Sequence, residues 1–392
     1  MVTYTSEWKE IILGQIQKTK CGKRLVRSQL EQVSRIDNYP VFQNSLSPLG
    51  FYNEYNCQAE SVFVIAAGNA GDIGYSELEF WAADDCYFYE HSNDIHQKYL
   101  YYYFLLNQKT IAEQTRRTSI PRLSRDILDN LVLQLPEVAE QEAIADTLTL
   151  FDTHIANLTE LIEKKKAIRE GALEDLISGK TRLSGFNSEW ISISFDEYFT
   201  LLSNNTYSRD KLAEHGQVGN IHYGDILIKY SEIVTDEDEI PFLRPEITYS
   251  DNWLLHTNDV IIADTAEDET VGKAIQICEV SVPLVGGLHT IVCRPKFETA
   301  HGFLGLYINS KSYHDQLLPH ITGIKVSSIS KKAIKTTVLT IPSEIEEQSA
   351  IVGIITAMDK EIRSLEEERD KMIKIREGAM DDLLTGKVRL TD

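Results

Sequence analysis

Three stretches of the chain are rich in lysine and arginine and contain no aspartate or glutamate: residues 11–30, 114–125 and 316–343. Ammonium and guanidinium groups bind DNA phosphates, and guanidinium, amide and hydroxyl groups can also bind base edges in the grooves. These stretches are therefore candidates for a DNA-binding surface. The candidate contacts are Lys20, Lys23, Arg24, Arg116, Arg117, Arg122, Arg125, Lys325, Ser327, Ser328, Lys331 and Lys332, with Asn204, Asn205, Tyr207 and Arg209 as further groups suited to base edges.

The alternative for each of these residues is an ordinary charge on a solvated surface. The chain of 392 residues has a formal net charge of −21, which by itself disfavours nucleic acid as a partner. Salt screens a surface charge beyond about 10 Å, so a basic patch can act locally on an acidic protein. The composition thus allows DNA binding, and the clustering of the cations favours it.

Several classes of protein are disfavoured by composition. No apolar run approaches the roughly 18 residues that span a bilayer, and the first residues lack the features of a secretion signal. The five cysteines are scattered without a CxxC pair, which argues against a zinc site and a disulfide framework. We therefore expect a cytoplasmic protein that neither spans a membrane nor is built around a metal.

Sequence motifs for catalysis are also lacking. The glycines of Gly68–Gly74 have the wrong spacing for a dinucleotide site, and Gly179-Lys180-Thr181 ends a helix, whereas a phosphate-binding loop opens one. There is no HExxH, no GxSxG and no Asn-Pro-Pro or Asp-Pro-Pro motif of the kind that amino-methyltransferases use. We predict no catalytic residue and no metal ligand in this chain.

One segment of the sequence occurs twice. Gln141–Leu183 aligns without gaps with Gln348–Leu390, and about 20 of the 43 aligned positions are identical. Ser188-Glu189-Trp190 likewise repeats Ser6-Glu7-Trp8. The repeat predicts four parts: a globular domain at 1–135, a spacer helix at 136–183, a second domain at 184–341 and a second helix at 342–392.

The apolar residues of each repeated segment are spaced by threes and fours, as along the seam of a coiled coil. Pro136 and Pro342 precede the helices, and Gly179 and Gly386 suit left-handed caps at their ends. We expect the helices to pair antiparallel within the chain; the alternative is a parallel seam with another chain or a partner subunit. The seam comprises Ile144, Leu148, Phe151, Ile155, Leu158 and Ile162 in one copy and Ile351, Ile355, Met358, Ile362 and Leu365 in the other.

The fold class predicted is α+β (mixed α/β): two globular domains separated by a pair of long helices, with a pseudo-two-fold internal repeat. Helical spacing is found at Ile95–Thr115 and His301–Leu318, and Ile127–Leu135 is expected to close the first domain. Strands are predicted at Ser61–Ala67, Asp225–Tyr230, Asp259–Asp264, Ala274–Val280 and Thr290–Arg294.

The repeated pattern resembles that of a known family. A Leu-Pro or Ile-Pro step, a Glu-Gln helix start (Glu140-Gln141 and Glu347-Gln348) and a long helix ending in Gly-Lys-x-Arg-Leu occur twice around two divergent domains. This is similar to the specificity subunit of type I restriction–modification enzymes. Arg116–Leu128 and Thr322–Ile334 resemble the family's closing segment, but Ser327 and Ser328 align with Pro121 and Arg122, which leaves residue equivalence there open.

The resemblance implies two target recognition domains that read the halves of a split double-stranded DNA sequence. It also implies a helical spacer that docks two modification subunits, which bind S-adenosylmethionine and methylate adenine. A restriction subunit using ATP and Mg²⁺ is a further partner, and a system that only methylates is an alternative. The competing interpretation from another class is a DNA-free adaptor that displays two ligand- or protein-binding domains on a coiled coil.

Overall fold

Both repeated segments form helices of 40 residues, α5 (Val138–Ile177) and α11 (Ile345–Leu384). The computed structural model describes residues 8–115, 121–323 and 325–390. The chain divides into two units, of which unit 1 comprises Met1–Glu160 with Glu366–Asp392 and unit 2 comprises Leu161–Leu365. Each long helix therefore contributes one part to each unit.

Unit 1 contains a mixed α/β domain. Its sheets have the strand orders β1-β9, β2-β8-β5-β6 and β4-β3-β7, and all pairs are antiparallel except β3 with β7. The elements before α5 are β1 (Lys9–Ile12), α1 (Leu13–Ile16), β2 (Lys20–Cys21), β3 (Tyr39–Phe42), β4 (Gly50–Tyr52), β5 (Ser61–Ile65), β6 (Ile73–Ser76), β7 (Trp81–Ala82), β8 (Cys86–Phe88), α2 (Gln97–Leu106), α3 (Gln108–Glu113), α4 (Arg125–Asp129) and β9 (Val132–Leu135).

Unit 2 contains a second domain of the same class. Its sheets have the orders β10-β22, β11-β20-β16-β18-β14, β12-β15-β13-β19 and β17-β21. The elements between α5 and α11 are β10 (Ile191–Ser194), α6 (Phe195–Tyr198), β11 (Phe199–Leu202), β12 (Leu212–Ala213), β13 (Gly219–Ile221), α7 (Tyr223–Ile228), β14 (Ile233–Val234), β15 (Phe242–Leu243), β16 (Val260–Ala263), β17 (Thr265–Ala266), β18 (Ala274–Ile277), β19 (Leu284–Gly286), β20 (Thr290–Pro295), α8 (Phe303–Asn309), α9 (Lys311–Leu317), β21 (Ser327–Ser328), α10 (Lys331–Ile334) and β22 (Val338–Ile341).

The two domains share backbone hydrogen bonds at equivalent positions, although their sequences differ. Leu123 N donates to Ala66 O in unit 1, and Ile329 N donates to Asp264 O in unit 2, at 2.8 and 2.9 Å. A left-handed glycine follows the central strand in both: Gly71 with φ +97° and Gly272 with φ +94°. Glycine suits this conformation because a Cβ would be strained there. The internal repeat therefore extends from the helices into the domains.

The predicted seam residues are all buried or half-buried. Ile144 and Leu148 belong to the core of unit 1, which also contains Met380, Leu383 and Leu384 from the end of α11. Ile351 and Ile355 belong to the core of unit 2, together with Leu173, Leu176 and Ile177 from the end of α5. The start of each long helix thus packs on a globular domain as well as on the end of the other helix.

Ion pairs give the direction of the helices inside each unit. In unit 2, Lys165 lies 2.7 Å from Glu361, and Arg169 lies 2.9 Å from Asp359. In unit 1, Asp152 pairs with Arg376 at 2.9 Å and His154 lies 3.6 Å from Glu368. Residue numbers rise along one helix as they fall along the other, so the segments run antiparallel in each unit.

The helix ends and most predicted elements are confirmed. Gly179 and Gly386 follow the long helices with φ +71° and +73°, the left-handed caps expected. The strands predicted from Ser61, Asp259, Ala274 and Thr290 are present as β5, β16, β18 and β20. The two helical regions form α2–α3 and α8–α9. In the three described ranges, no helix has the length and apolar character needed to cross a membrane.

The strand predicted at Asp225–Tyr230 is wrong, because Tyr223–Ile228 forms the short helix α7. The His222 ring accepts a hydrogen bond from Gly224 N at 3.2 Å and caps the helix. Asp225 lies in its first turn, where a carboxylate complements the helix dipole. Ile226 and Tyr230, four residues apart, are both buried, which is a helical spacing that a short apolar run does not distinguish from a strand.

Candidate nucleic-acid interface

In unit 1 the fold brings two distant basic segments together. Thr19 donates from its backbone N and its Oγ1 to Asp129 Oδ1, at 3.0 and 2.6 Å, and so fixes the first segment beside α4. Gly22 N donates to Cys86 O at 2.9 Å, and Arg122 forms an isolated β-bridge with Ala67. The segments meet around β8. We name Lys20, Lys23, Arg24, Arg122 and Arg125 the basic surface.

Tyr87 of β8 lies close to the basic surface. Its Oη donates to Leu123 O at 3.0 Å. Burial raises the pKa of Tyr87, while the positive charges of Arg125 and Arg122 act to lower it. The two arginines are therefore near enough to this strand for their fields to reach its phenol.

The cations of the basic surface are accessible. Lys20 lies 3.5 Å from Glu90, and Arg122 lies 3.5 Å from Asp85 with 63% of its side chain exposed. Lys23, Arg24 and Arg125 are also exposed. Exposed ion pairs of this kind contribute little stability, so phosphate oxygens can replace the carboxylates at small cost. The other two predicted contacts in this domain, Arg116 and Arg117, lie outside the described residues.

The equivalent surface of unit 2 carries different side chains. Ser328 pairs with Thr265 in the β17–β21 ladder, as Arg122 pairs with Ala67. Ser328 therefore occupies the backbone position of Arg122, which answers the question of equivalence left open by the sequence. Lys331 begins α10 as Arg125 begins α4, and Lys325 and Lys332 are exposed nearby in the chain. Ser327 is half-buried in β21.

The predicted amides of unit 2 are bonded within the domain. Asn205, 2% exposed, donates from Nδ2 to Asn220 Oδ1 and Gly286 O, both at 2.8 Å. Asn204 Nδ2 donates to Gly287 O and Thr290 O at 2.8 and 3.0 Å. This differs from the role expected at base edges, because the amide donors stabilise loops between strands. The sequence alone does not reveal these acceptors, which are main-chain oxygens from distant segments.

The other two polar candidates of unit 2 are also bonded. Tyr207 Oη donates to Thr248 O at 2.8 Å. Arg209 donates to the buried carboxylate of Asp225 at 3.0 Å, but 57% of its side chain remains exposed. Arg209 therefore keeps donors that can face a ligand, whereas the hydroxyl of Tyr207 is already a donor within the fold.

Sequence reasoning missed His289. Its backbone has φ +53°, and its Nδ1 lies 3.3 Å from Asp264 Oδ1. The ring of Tyr223 packs edge-on against it, with centroids 5.3 Å apart. The backbone of His289 occupies the position that Asp85 has in unit 1. His289 O accepts a hydrogen bond from Asp264 N, as Asp85 O accepts one from Ala66 N. Only comparison of the two domain backbones identifies this exposed imidazole beside Thr265.

Each unit also contains an ion pair built from the repeated motifs, buried on both sides in unit 1 and with only the glutamate buried in unit 2. In unit 1, Arg389 donates from Nε and an amino nitrogen to the two oxygens of Glu140, both at 2.7 Å, and lies over the ring of Trp8. In unit 2, Arg182 donates to Glu347 at 3.0 and 2.6 Å and lies over the ring of Trp190. The arginine of Gly-Lys-x-Arg-Leu thus binds the glutamate of the Glu-Gln helix start.

Comparison with known sequences decides the family. The family described as "Type I restriction modification DNA specificity domain" matches residues 5–167 and 187–374, which together form most of the chain. The chain belongs to this family. It is a specificity subunit of a type I restriction–modification system, the component that has no catalytic activity of its own.

Similar specificity subunits occur in archaea and mycoplasmas. The MjaVIII specificity subunit of Methanocaldococcus jannaschii is 23% identical over 313 residues, 74% of this chain and 70% of the relative. A putative type I specificity subunit of Mycoplasma pneumoniae is 23% identical over 221 residues, 54% of this chain and 58% of the relative.

Solved structures share the fold of this specificity subunit. A crystal structure of the type I S subunit of M. genitalium superposes with a TM-score of 0.62 at 17% identity and covers 98% of both chains. A chain from a study of complex assembly and conformational transition in the type I system gives a TM-score of 0.59 at 13% identity, with 98% of this chain and 99% of the other covered.

Proposed function

We propose that this specificity subunit binds a bipartite double-stranded DNA target, one half-site for each domain, and docks two adenine-methyltransferase subunits through its long helices. Catalysis belongs to the partners. S-adenosylmethionine binds the modification subunits, and ATP with Mg²⁺ binds a restriction subunit where the system has one. This chain selects the DNA sequence that is bound and sets the distance between its two half-sites.

The observation that carries the proposal is a pair of domains that share backbone hydrogen bonds at equivalent positions but carry different side chains there. At equivalent positions, Arg122 corresponds to Ser328 and Asp85 to His289, while the framework hydrogen bonds are retained. Base recognition depends on the side chains that reach the groove. Two domains that share this framework but differ in these side chains are suited to two different half-sites.

Most cations of the basic surface are proposed to bind phosphate. Lysine and arginine at phosphates fix position and give affinity, but they carry no sequence information. In unit 2 we propose Lys325, Lys331 and Lys332 for the same role, with Ser327, Ser328 and Arg209 as candidates for base edges. Asn204 and Asn205 are proposed to shape this surface from within the domain.

We further propose that α5 and α11 pair along their length as an antiparallel coiled coil that separates domains at 1–135 and 184–341, related by a pseudo-two-fold axis. The support is the antiparallel direction of their ion-paired segments inside each unit. Helices of 40 residues measure about 60 Å, and a DNA turn about 34 Å. Such a spacer would place two half-sites about one turn apart.

Mapping of methylated adenines tests the function. The chain is co-expressed with its modification subunit in a host that lacks adenine methylation, and methylated positions are read across the genome. We expect one split motif, with fixed half-sites and an unread gap of constant length. Absence of any motif would contradict DNA recognition and favour the DNA-free adaptor, and an uninterrupted motif would contradict the one-domain, one-half-site arrangement.

A charge reversal tests the basic surface. In the complex with modification subunits, Lys23→Glu combined with Arg122→Glu should weaken binding to the target duplex and lower the slope of log K against log salt by roughly 2, because two phosphate contacts are lost. The matched control is Lys9→Glu with Lys109→Glu, exposed lysines outside this surface. Fluorescence anisotropy at several salt concentrations measures both, and equal slopes for the two variants would refute the assignment.

A further inference from the structure

The turn between β19 and β20 carries an exposed histidine in a strained backbone conformation. His289 has φ +53°, and 47% of its side chain is exposed. Asp85, which has the equivalent position in unit 1, does not adopt a positive φ. A glycine would be free of this strain, and residues that are held in such conformations cluster at functional sites. The imidazole is therefore a candidate for a functional side chain.

Asp264 and Thr265 determine which nitrogen of this ring carries the hydrogen. Thr265 Oγ1 donates to Asp264 Oδ1 at 2.8 Å and lies 3.4 Å from His289 Nδ1. Because the carboxylate takes the single hydroxyl hydrogen, the threonine oxygen can only accept from Nδ1. Asp264 Oδ1 lies 3.3 Å from the same nitrogen and favours the same arrangement. A neutral ring therefore carries its hydrogen on Nδ1, which leaves Nε2 as an acceptor.

The backbone of the strands holds Asp264 and His289 in a fixed relation. Asp264 N donates to His289 O at 3.1 Å, and Ile329 N donates to Asp264 O at 2.9 Å. The ring of Tyr223 packs edge-on against the imidazole, with the centroids 5.3 Å apart. The imidazole is thus supported both at Nδ1 and by an aromatic neighbour, so its orientation is set before any ligand binds.

The histidine lies among groups that we propose for DNA contact. Ser328 pairs with Thr265 across the β17–β21 ladder. Burial lowers the pKa of His222, and the positive charges of Arg209 and His289 act in the same direction, so both side chains are near that ring. The acceptor at Nε2 therefore belongs to the same surface as the hydroxyl of Ser328 and the guanidinium of Arg209.

We propose that His289 is a specificity-determining residue of the second domain: its Nε2 accepts a hydrogen bond from the amino group of an adenine or a cytosine in the major groove, and Asp264 is its positioning residue. This rests on the proposed function and names one base contact of it. Adenine N6 and cytosine N4 are donors in the major groove, whereas guanine O6 and thymine O4 are acceptors that would repel the lone pair of Nε2. Unit 1 has Asp85 paired with Arg122 at this place, so the contact belongs to one half-site only.

Methylation mapping of variants tests the contact. In the complex with modification subunits, His289→Ala should extend methylation to sites with other bases at one position of one half-site. The other half-site and the length of the gap should not change. The matched control is His301→Ala, which removes an exposed histidine just before α8 in the same unit and should leave the motif intact. An unaltered motif for His289→Ala would overturn the proposal.

A glycine at the same position separates base reading from backbone strain. His289→Gly removes both the imidazole and the strain, so its thermal midpoint should be higher than that of His289→Ala. The same position of the motif should nevertheless be relaxed in both variants. Relaxation in the alanine variant alone would assign the effect to the strained backbone and would contradict a base contact.

Substitution of Asp264 tests its positioning role. Asp264→Asn keeps an oxygen acceptor beside Nδ1 and should retain the motif. Asp264→Ala frees the hydroxyl of Thr265 to donate to Nδ1, which moves the ring hydrogen to Nε2 and removes the acceptor there. This variant should relax the same position as His289→Ala. Relaxation at a different position, or loss of the motif in both variants, would show that Asp264 only supports the fold.

A modified duplex tests the hydrogen bond itself. At the position that His289→Ala relaxes, the target base is replaced by its analogue without the amino group, purine for adenine or 2-pyrimidinone for cytosine. Fluorescence anisotropy should show about fivefold weaker binding by the wild-type complex, the effect of one neutral hydrogen bond, and no such difference for His289→Ala. Equal wild-type affinity for both duplexes would overturn this contact while DNA reading stands. If the wild-type complex methylates no split motif, the proposed function fails and the contact fails with it.

Discussion

Glu140 and Arg389 show how residues that are far apart in the sequence hold one unit together. Both side chains are less than a tenth exposed, and two parallel hydrogen bonds join them. Gln141 next to this pair accepts from His96 N and donates to Pro136 O, and Gln348 in unit 2 likewise accepts from Ala300 N and donates to Pro342 O. The Glu-Gln motif thus anchors each long helix to its domain and to the end of the other helix.

Arg389→Ala should lower the free energy of unfolding by about 3 kcal/mol, because it leaves the carboxylate of Glu140 buried without its partner. Urea unfolding followed by circular dichroism measures this. Lys387→Ala is the matched control from the same segment, since Lys387 pairs with Asp381 on the surface. Equal unfolding midpoints for the two variants would show that the buried pair does not stabilise the unit.

Single residues also mark the limit of sequence-based prediction. The caps at Gly179 and Gly386 follow from a local rule, so the sequence predicts them correctly. The bonds of Asn204 and Asn205 depend on main-chain oxygens that only the folded sheet brings near. The basic clusters were identified from composition, but their meeting around β8 depends on the pairing of β2 with β8.

A left-handed backbone conformation ends the long helices. α11 stops where Gly386 adopts a left-handed conformation, and a Cβ at this position would also meet the Trp8 ring at 3.3 Å. Gly353, inside the same helix, is exposed and has open space around it. A glycine just after the helix and a glycine inside it therefore have opposite effects on stability.

Gly386→Ala should lower the free energy of unfolding by about 1 kcal/mol, since an alanine is strained in the left-handed region. Gly353→Ala should raise it by up to about 1 kcal/mol, because alanine is the better helix former. Denaturant titration of the two variants beside the wild type checks the signs. Destabilisation by both substitutions would mean that the space around Gly353 is occupied.

The duplicated sequence predicts the order of helices and domains along the chain better than it predicts the strands inside either domain. Periodicity and capping rules predicted the two long helices, and the tandem duplication favoured their antiparallel pairing. Both helices are present, and their ion-paired segments run antiparallel inside each unit. The domain strands were found only where apolar runs are long, as at β5, β16, β18 and β20. The likeness of the two domains rests on hydrogen bonds between distant segments, for which a single sequence contains no periodic signal.

If the helices set the distance between the half-sites, lengthening both of them should lengthen the gap in the target. The division between the units falls at Glu160–Leu161 in α5 and at Leu365–Glu366 in α11. Insertion of three heptads at both places preserves the seven-residue repeat of the seam. The added 21 residues extend each helix by about 32 Å, close to one DNA turn. Methylation mapping should then show the same half-sites with an unread gap longer by about nine base pairs.

Insertion of one heptad in each helix provides the contrasting case. It adds about 10 Å, or about three base pairs, over which DNA rotates by roughly 100° while the helix seam stays in register. The two domains would then face the duplex out of phase, and methylation should fall sharply at every motif. Unchanged gaps with full methylation in both insertion variants would show that the helices do not determine the spacing of the half-sites.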